Sequence, residues 1–470
     1  MYRSFVLRRA FLGAAATLLL LACKGRGAQT ERAASSATPA ARIALPPVPP
    51  EPPTYRREVA SLLANHCGPC HFAGGVAPFR LDSYAAAQER HADIVLATAT
   101  GHMPPWLPQE DTCAKLRFSR AMDGASKDLL RRWSEAGAPE GTTDASSVAV
   151  VSSDAGAPMV APRAILAAAP TEAYEPKRAR EDDYHCFVLD PAIDAGRTIA
   201  GFRIVPGQPS MVHHVVLYEV RESAVPKIAA RDAAEKGVGY TCFGGIGVNP
   251  AIRAGAPGSG ELVSFDTQLV AGWAPGADLG GATVFPAGTG IRLGKGSRLV
   301  MQVHYSLRNY RAGMRDRTRV ELFEGEPGLV QALWLPLYQY DFRVPPGVGP
   351  TDPQAIVRSQ TTLPFRLRVH GAAPHMHLRG ASVTVTADDD AGDAGAGACL
   401  LDIPRWDFHH QQAYWFAEPR VISSAQLTCR YDNRPEAQPT SLGQRAVPHT
   451  LKWGEGTDDE MCLAFLYATP

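Results

Sequence analysis

The sequence predicts a multidomain protein, a small all-α domain followed by two antiparallel β-sandwich domains of jelly-roll type. Three observations lead there. Apolar residues recur at helical spacing between residues 54 and 140, as in YRREVASLLANHC and ASKDLLRRWSEAG. Beyond residue 172 the chain turns to short runs rich in Val, Ile, Phe and Tyr, separated by Gly, Pro and Asp. Two low-complexity stretches, 24–53 and 141–172, flank the helical part on either side. With 470 residues, 45% of them hydrophobic, the chain can bury several cores. Its 47 basic and 47 acidic side chains cancel, so no net field draws it to nucleic acid or an anionic surface.

Residues 1–23 have a basic start (Arg3, Arg8, Arg9) and then an apolar run too short to span a bilayer, the pattern of an export signal. The run ends in LLAC, which resembles a bacterial lipobox. On that reading Cys23 is acylated and anchors the protein to a membrane; an ordinary cleaved signal is the alternative. RRAFL also resembles a twin-arginine signal, but the general secretory route is favoured. The expected location is the cell envelope, on the periplasmic side, where disulfides persist. Residues 24–53, ending in PPVPPEPP, read as a stiff tether.

Within 54–140, Val59, Leu62 and Leu63 share one helical face, and Leu129, Leu130 and Trp133 another, before a Gly-Ala-Pro stop. Between them, CGPCH carries the Cys-x-x-Cys-His spacing of c-type haem attachment. Cys67 and Cys70 would bond the porphyrin and His71 its iron, which makes this segment a cytochrome c domain. A redox dithiol or zinc site is the rival, but no thioredoxin-like βαβ pattern surrounds it. In GHMPPWL, Met103 is chosen over His102 as the sixth ligand. His66 and His91 are read as surface residues. Residues 141–172 form a second linker, long and flexible enough to hold the haem at high effective concentration beside the β region.

The β region divides into 173–345 and 346–470, with the boundary near YDFRVPPGVGPTDPQ. Its acidic tract ADDDAGDAGAGAC lacks the spaced ligands of a calcium loop and reads as a hairpin. In PHMHLRG, His375 and His377 lie two apart, so on a strand they face the same side as a chelate. In VHHVV, His213 and His214 would point to opposite faces unless a bulge or unusual ring orientation intervenes. His304 alternates with Val300 and Gln302 on one face. Cys113, Cys186, Cys242, Cys399, Cys429 and Cys462 are left for disulfides, and the sequence leaves their pairing open.

Taken in order, VHHVVLYEV, AGWAPGA, FPAGTGIRLGKGSRLVMQVHYS, PHMHLRG and DDEMCLAFLY resemble the copper type II, ascorbate-dependent monooxygenases, the family of peptidylglycine α-hydroxylating and dopamine β-monooxygenases. The resemblance covers about residues 175–470. It implies two coppers in two β-sandwich domains. The electron-transfer copper would take His213, His214 and His304; the catalytic copper, where O2 and substrate meet, would take His375, His377 and Met461. It also implies the disulfides Cys186–Cys242 and Cys429–Cys462, the latter clamping the strand that presents Met461, while Cys113 and Cys399 stay unassigned.

The resemblance thus implies an exported copper monooxygenase that hydroxylates a C–H bond. Two uncoupled coppers need electrons one at a time, and a fused haem fed by an external donor would supply them. In the peptide-amidating members an arginine two residues before the His-x-His pair, and an asparagine and a tyrosine after the methionine, hold the substrate carboxylate. Here those places are Ala373, Leu463 and Phe465, so a small apolar substrate is expected. Arg379 is assigned a surface salt bridge, with anion binding as the alternative. The competing functional readings are a haem and copper electron-transfer or copper-handling lipoprotein, and a β-sandwich binding module with structural histidines.

Overall fold

The computed structural model of the chain describes residues 51–68, 70–73, 77–109, 111–142, 164–177, 182–242, 245–248, 264–275, 282–307, 310–389, 397–441, 444–454 and 458–470. The signal segment with Cys23, nearly all of the first tether and most of the second linker lie outside the described residues. After a π-helical turn at Tyr55–Val59 come α1 (Ala60–His66), α2 (Tyr84–Glu89), α3 (His91–Ala99) and α4 (Gly124–Glu135). Ser83 and Asp123 cap α2 and α4 by accepting from the amides of Ala86 and Ser126. Leu130 and Trp133 of α4 pack with Val59, Leu62, Leu63 and Ile94.

These helices do not make the separate all-α cytochrome domain expected for 54–140. The protein is mostly β-sheet, and all described residues from Pro52 to Pro470 belong to one compact unit. The physical reason lies between α3 and α4. Helices α1 to α3 are only 7, 6 and 9 residues long, too short to be stable without tertiary support. The chain after them runs along the sheet formed within residues 333–469. Ala114 donates to Cys399 O, Arg117 to Trp415 O, and Ala417 to Lys115 O. Ala114 and Leu116 are buried in that sheet's core, and Cys113 is disulfide-bonded to Cys399.

The β region begins with β1 (Ala164–Ala168), β2 (Asp182–Leu189), β3 (Arg197–Val205) and β4 (Val212–Val220), and continues through helix α5 (Val225–Ala233). Then come β5 (Tyr240–Thr241), β6 (Thr267–Trp273), β7 (Thr283–Val284), β8 (Thr289–Leu293), β9 (Arg298–Ser306), β10 (Arg319–Glu324) and β11 (Val330–Gln331). They form two sheets, β1-β10-β3-β8-β11 with β7 beside β3, and β5-β2-β9-β4-β6. Phe187, Phe202, Leu217, Met301 and Leu322, one from each of five strands, meet in a core between them, each contributing about 2 kcal/mol by burial.

The third sheet is built from β12 (Leu333–Gln339), β13 (Ile356–His375), β14 (Gly380–Asp389), β15 (Ala398–Ile403), β16 (Tyr414–Tyr431) and β19 (Cys462–Thr469), in the order β12-β19-β13-β16-β14-β15; β17 (Thr440–Ser441) and β18 (Gln444–Arg445) form a separate ribbon. Register breaks at Thr362/Leu367 and Val369/Gly371 let the long β13 and β16 bend, and the sheet encloses its own core of Val369, Ile403, Leu427 and Leu466. The disulfide Cys429–Cys462 joins β16 to the start of β19, and Cys186–Cys242 ties β2 to the residue after β5. Trp415 and Tyr467 of this sheet reach into the first core. There Tyr467 lies 5.2 Å from Phe285, and its hydroxyl is 3.1 Å from Thr289 Oγ1.

Candidate functional site

Strands β4 and β9 bring His213, His214 and His304 together. Val212 opposes Tyr305 but His214 opposes His304, so His213 is the extra residue of a β-bulge. The bulge overrides the alternation that would otherwise separate neighbouring histidines. His214 Nδ1 lies 3.3 Å from His213 Nδ1 and 3.2 Å from His304 Nδ1. Three imidazole nitrogens converging in this way suit one ion bonded at about 2.0 Å from each. Asp182 Oδ1 sits 2.9 Å from His304 Nε2, where it accepts the proton that leaves the Nδ1 lone pair for the cluster. Tyr184, opposite His304 on β2, stacks on it at 4.2 Å. Burial, and then the neighbouring His304 and His213, hold His214 well below the usual imidazole pKa, in its neutral ligating form.

The second set is assembled by β13 and β19. His375 closes β13 opposite Leu463 of β19; His377 lies two residues past the end of β13, and Met461 immediately precedes β19. The two imidazole rings are 5.0 Å apart. His377 Nδ1 donates to Asp459 O at 3.1 Å and His375 Nδ1 to Gln411 Oε1, so each ring in its neutral form presents an Nε2 lone pair. Burial pushes His375 down to about 4. Met461 is buried beside Trp453 and Leu463, and its carbonyl accepts from Tyr431 Oη at 3.0 Å.

Glu460 underpins this set. Its carboxylate accepts from the amides of His377 (2.9 Å) and Arg379 (2.6 Å), and burial pushes its pKa up to about 8. Arg379, assigned a surface salt bridge, does pair with the exposed Asp458 at 3.6 Å, but is itself buried. At 1% exposure it donates to Gln438 Oε1 and to Asp458 O, three residues before Met461.

Between the sets lies Phe408, its ring 5.9 Å from His213, 6.4 Å from His304 and 5.8 Å from His377. A cavity of about 130 Å3 reaches both His214 and His375. Trp273, Trp334, Leu269, Ala373 and Phe465 line it, and no charged side chain does apart from the two histidines if protonated. Two of the three positions where the sequence departs from the peptide-binding pattern, Ala373 and Phe465, are therefore walls of this cavity.

In the helical segment, Cys67 and Cys70 are the two described cysteines outside the disulfides. His71 is buried and its Nδ1 donates to Phe79 O at 3.0 Å, which leaves the Nε2 lone pair for an iron. Burial is the main force pushing the Cys67 thiol up to about 12. His102 and Met103 both come after α3, their amides donating to Ala97 O. His91 meets Ser134 Oγ at 2.7 Å, whereas His66, read as a surface residue, has a buried Nδ1 with no hydrogen-bond partner.

Sequence reasoning passed over Asp182, Phe408, His409, Gln411 and Glu460. One signal was present: DFHHQQ is a second His-His pair, close before β16.

No protein-family model matches the chain, and no curated protein matches it. Among solved structures, an allantoicase is similar at 12% identity over 61% of this chain and 83% of that one, with a TM-score of 0.16. PNGF-II is similar at 7% identity over 63% and 58%, TM-score 0.21, and the infectious bursal disease virus VP2 subviral particle at 8% over 66% and 74%, TM-score 0.16. Likenesses at these scores carry no argument about fold or function.

Proposed function

We propose that the protein is a copper-dependent monooxygenase that hydroxylates a C–H bond of a small, uncharged, largely apolar substrate, with electrons supplied through a covalently attached haem. The observation that carries this reading is the convergence of His213, His214 and His304 at their Nδ1 atoms, one of which, His214, lines the same cavity as His375. His213, His214 and His304 would hold one copper, and His375, His377 and Met461 the other. Imidazole and thioether donors suit a copper that cycles between its two oxidation states, and copper so held supplies one-electron chemistry and O2 activation.

The chain's own groups do the rest. Asp182 and Asp459 O fix the tautomers of His304 and His377, and Gln411 that of His375. The cavity walls exclude charge and orient an apolar substrate by shape. The balance is one C–H bond, O2, two electrons and two protons giving an alcohol and water. Cys67, Cys70 and His71 would hold the haem, with Met103 as its second axial ligand, and an external donor would reduce it. Export to the cell envelope and anchoring to a membrane through Cys23 belong to the same reading.

The test is metal and haem content of the purified protein, together with O2 uptake on a panel of neutral apolar compounds. Two coppers, one haem and O2 consumption matching product, abolished in His375→Ala, support the reading. Absence of copper would overturn it, and reversible haem and copper redox chemistry without O2 uptake would favour an electron-transfer protein.

A further inference from the structure

The segment Arg405–Gln412, RWDFHHQQ, joins β15 to β16 and touches both histidine sets and the chain just before Met103. Arg405 Nη2 donates to Gly101 O at 3.4 Å, two residues before Met103. Trp406 Nε1 donates to His377 O at 3.2 Å, and Gln411 accepts from His375. Phe408, 5% exposed, stands between the two histidine sets. His409 Nδ1 lies 3.3 Å from His213 Nε2. The segment is braced from within, since Asp407 accepts from the His409 amide at 2.9 Å and from His410 Nδ1 at 2.8 Å, and Gln411 Nε2 donates to Phe408 O at 2.8 Å.

An imidazole that ligates through Nδ1 must carry its proton on Nε2, and that proton needs an acceptor. For His304 the acceptor is the Asp182 carboxylate. For His213 a group at hydrogen-bond distance from Nε2 is His409 Nδ1, which comes from the other half of the β region. We propose that His409 is a positioning residue for the first histidine site: it accepts the Nε2 proton of His213, which turns the Nδ1 lone pair of His213 towards His214 and His304. This inference rests on the copper reading of that site. The geometry of the first site is then set by a segment that also contacts His375 and His377.

The experiment is Cu(I) titration of the full chain in competition with a chromophoric chelator, with the electron paramagnetic resonance spectrum of the Cu(II) form, on wild type, His409→Ala, His409→Asn and His213→Ala. His409 is exposed, so neither substitution at it removes core packing. Removing such an outer partner is expected to weaken the first site about 10- to 100-fold and alter its Cu(II) spectrum. Asn, whose Oδ1 occupies the place of Nδ1, should restore affinity to within about 3-fold. First-site affinity and spectrum unchanged in His409→Ala would overturn the inference, as would Asn binding as weakly as Ala. If wild type and His213→Ala take up the same copper, the copper reading itself fails, an outcome distinct from either.

Discussion

The Nδ1 atoms of His214 and His304 lie 3.2 Å apart on residues that oppose one another across β4 and β9. The contact depends on one extra residue in β4. Without the bulge at His213 the alternation of a strand would send one of the adjacent histidines away from the site. With it, two neighbours in sequence and one residue 90 positions later share a single focus.

His304→Ala should therefore leave one copper per chain where wild type holds two. Asp182→Ala should keep the stoichiometry but weaken the first site about 10- to 100-fold, because the Nε2 proton of His304 loses its acceptor. Metal analysis after dialysis, together with chelator competition, distinguishes the two.

Met461→Leu keeps volume and polarity in a buried place and should cost less than about 1.5 kcal/mol of stability. It removes the sulfur donor, so copper at the second site should weaken while the first site stays loaded. Equal retention of both coppers, and undiminished O2 uptake, would remove Met461 from the ligand set.

The double substitution Cys113→Ser and Cys399→Ser opens a loop of 286 residues. A loss of about 2–5 kcal/mol is expected, read as a lower thermal midpoint. The histidine clusters do not touch this bridge, so copper titration of the folded variant should be unchanged. A loss of copper along with stability would show that docking of the 101–120 segment supports the metal sites as well.

Ala373→Arg would place a guanidinium in a wall that carries no Asp, Glu, Lys or Arg. Turnover of a neutral substrate should fall at least about 10-fold in kcat/KM, since an unpaired buried charge is costly and stays hydrated at the expense of the ligand. A carboxylate-bearing analogue should lose less. Undiminished turnover of the neutral compound would mean that substrate binds elsewhere.

Much of the candidate site was legible because its signals are local. Two histidines at spacing two imply a shared face on any strand, and CGPCH needs no tertiary context to read as a haem motif. The pairings Cys186–Cys242 and Cys429–Cys462, implied by the family resemblance, are both present, beside Cys113–Cys399, which the sequence left unassigned. The separate helical domain was misread because periodicity reports only which face of a helix is apolar. It does not report that residues 101–120, between the helices, are held to the third sheet by Cys113–Cys399 and the buried Leu116.

By itself, then, the sequence determined the β-rich character of the chain beyond residue 172 and the residue types able to ligate a metal. Strand alternation and donor chemistry are properties of neighbouring residues. Only the tertiary structure decided that His213 sits in a bulge, that Cys113 meets Cys399, that Arg379 is buried, and that Phe408 and His409 reach the histidine sets from the far side. Those contacts join residues separated by as many as 286 positions, or depend on a one-residue change of register, and no local pattern of side chains encodes either.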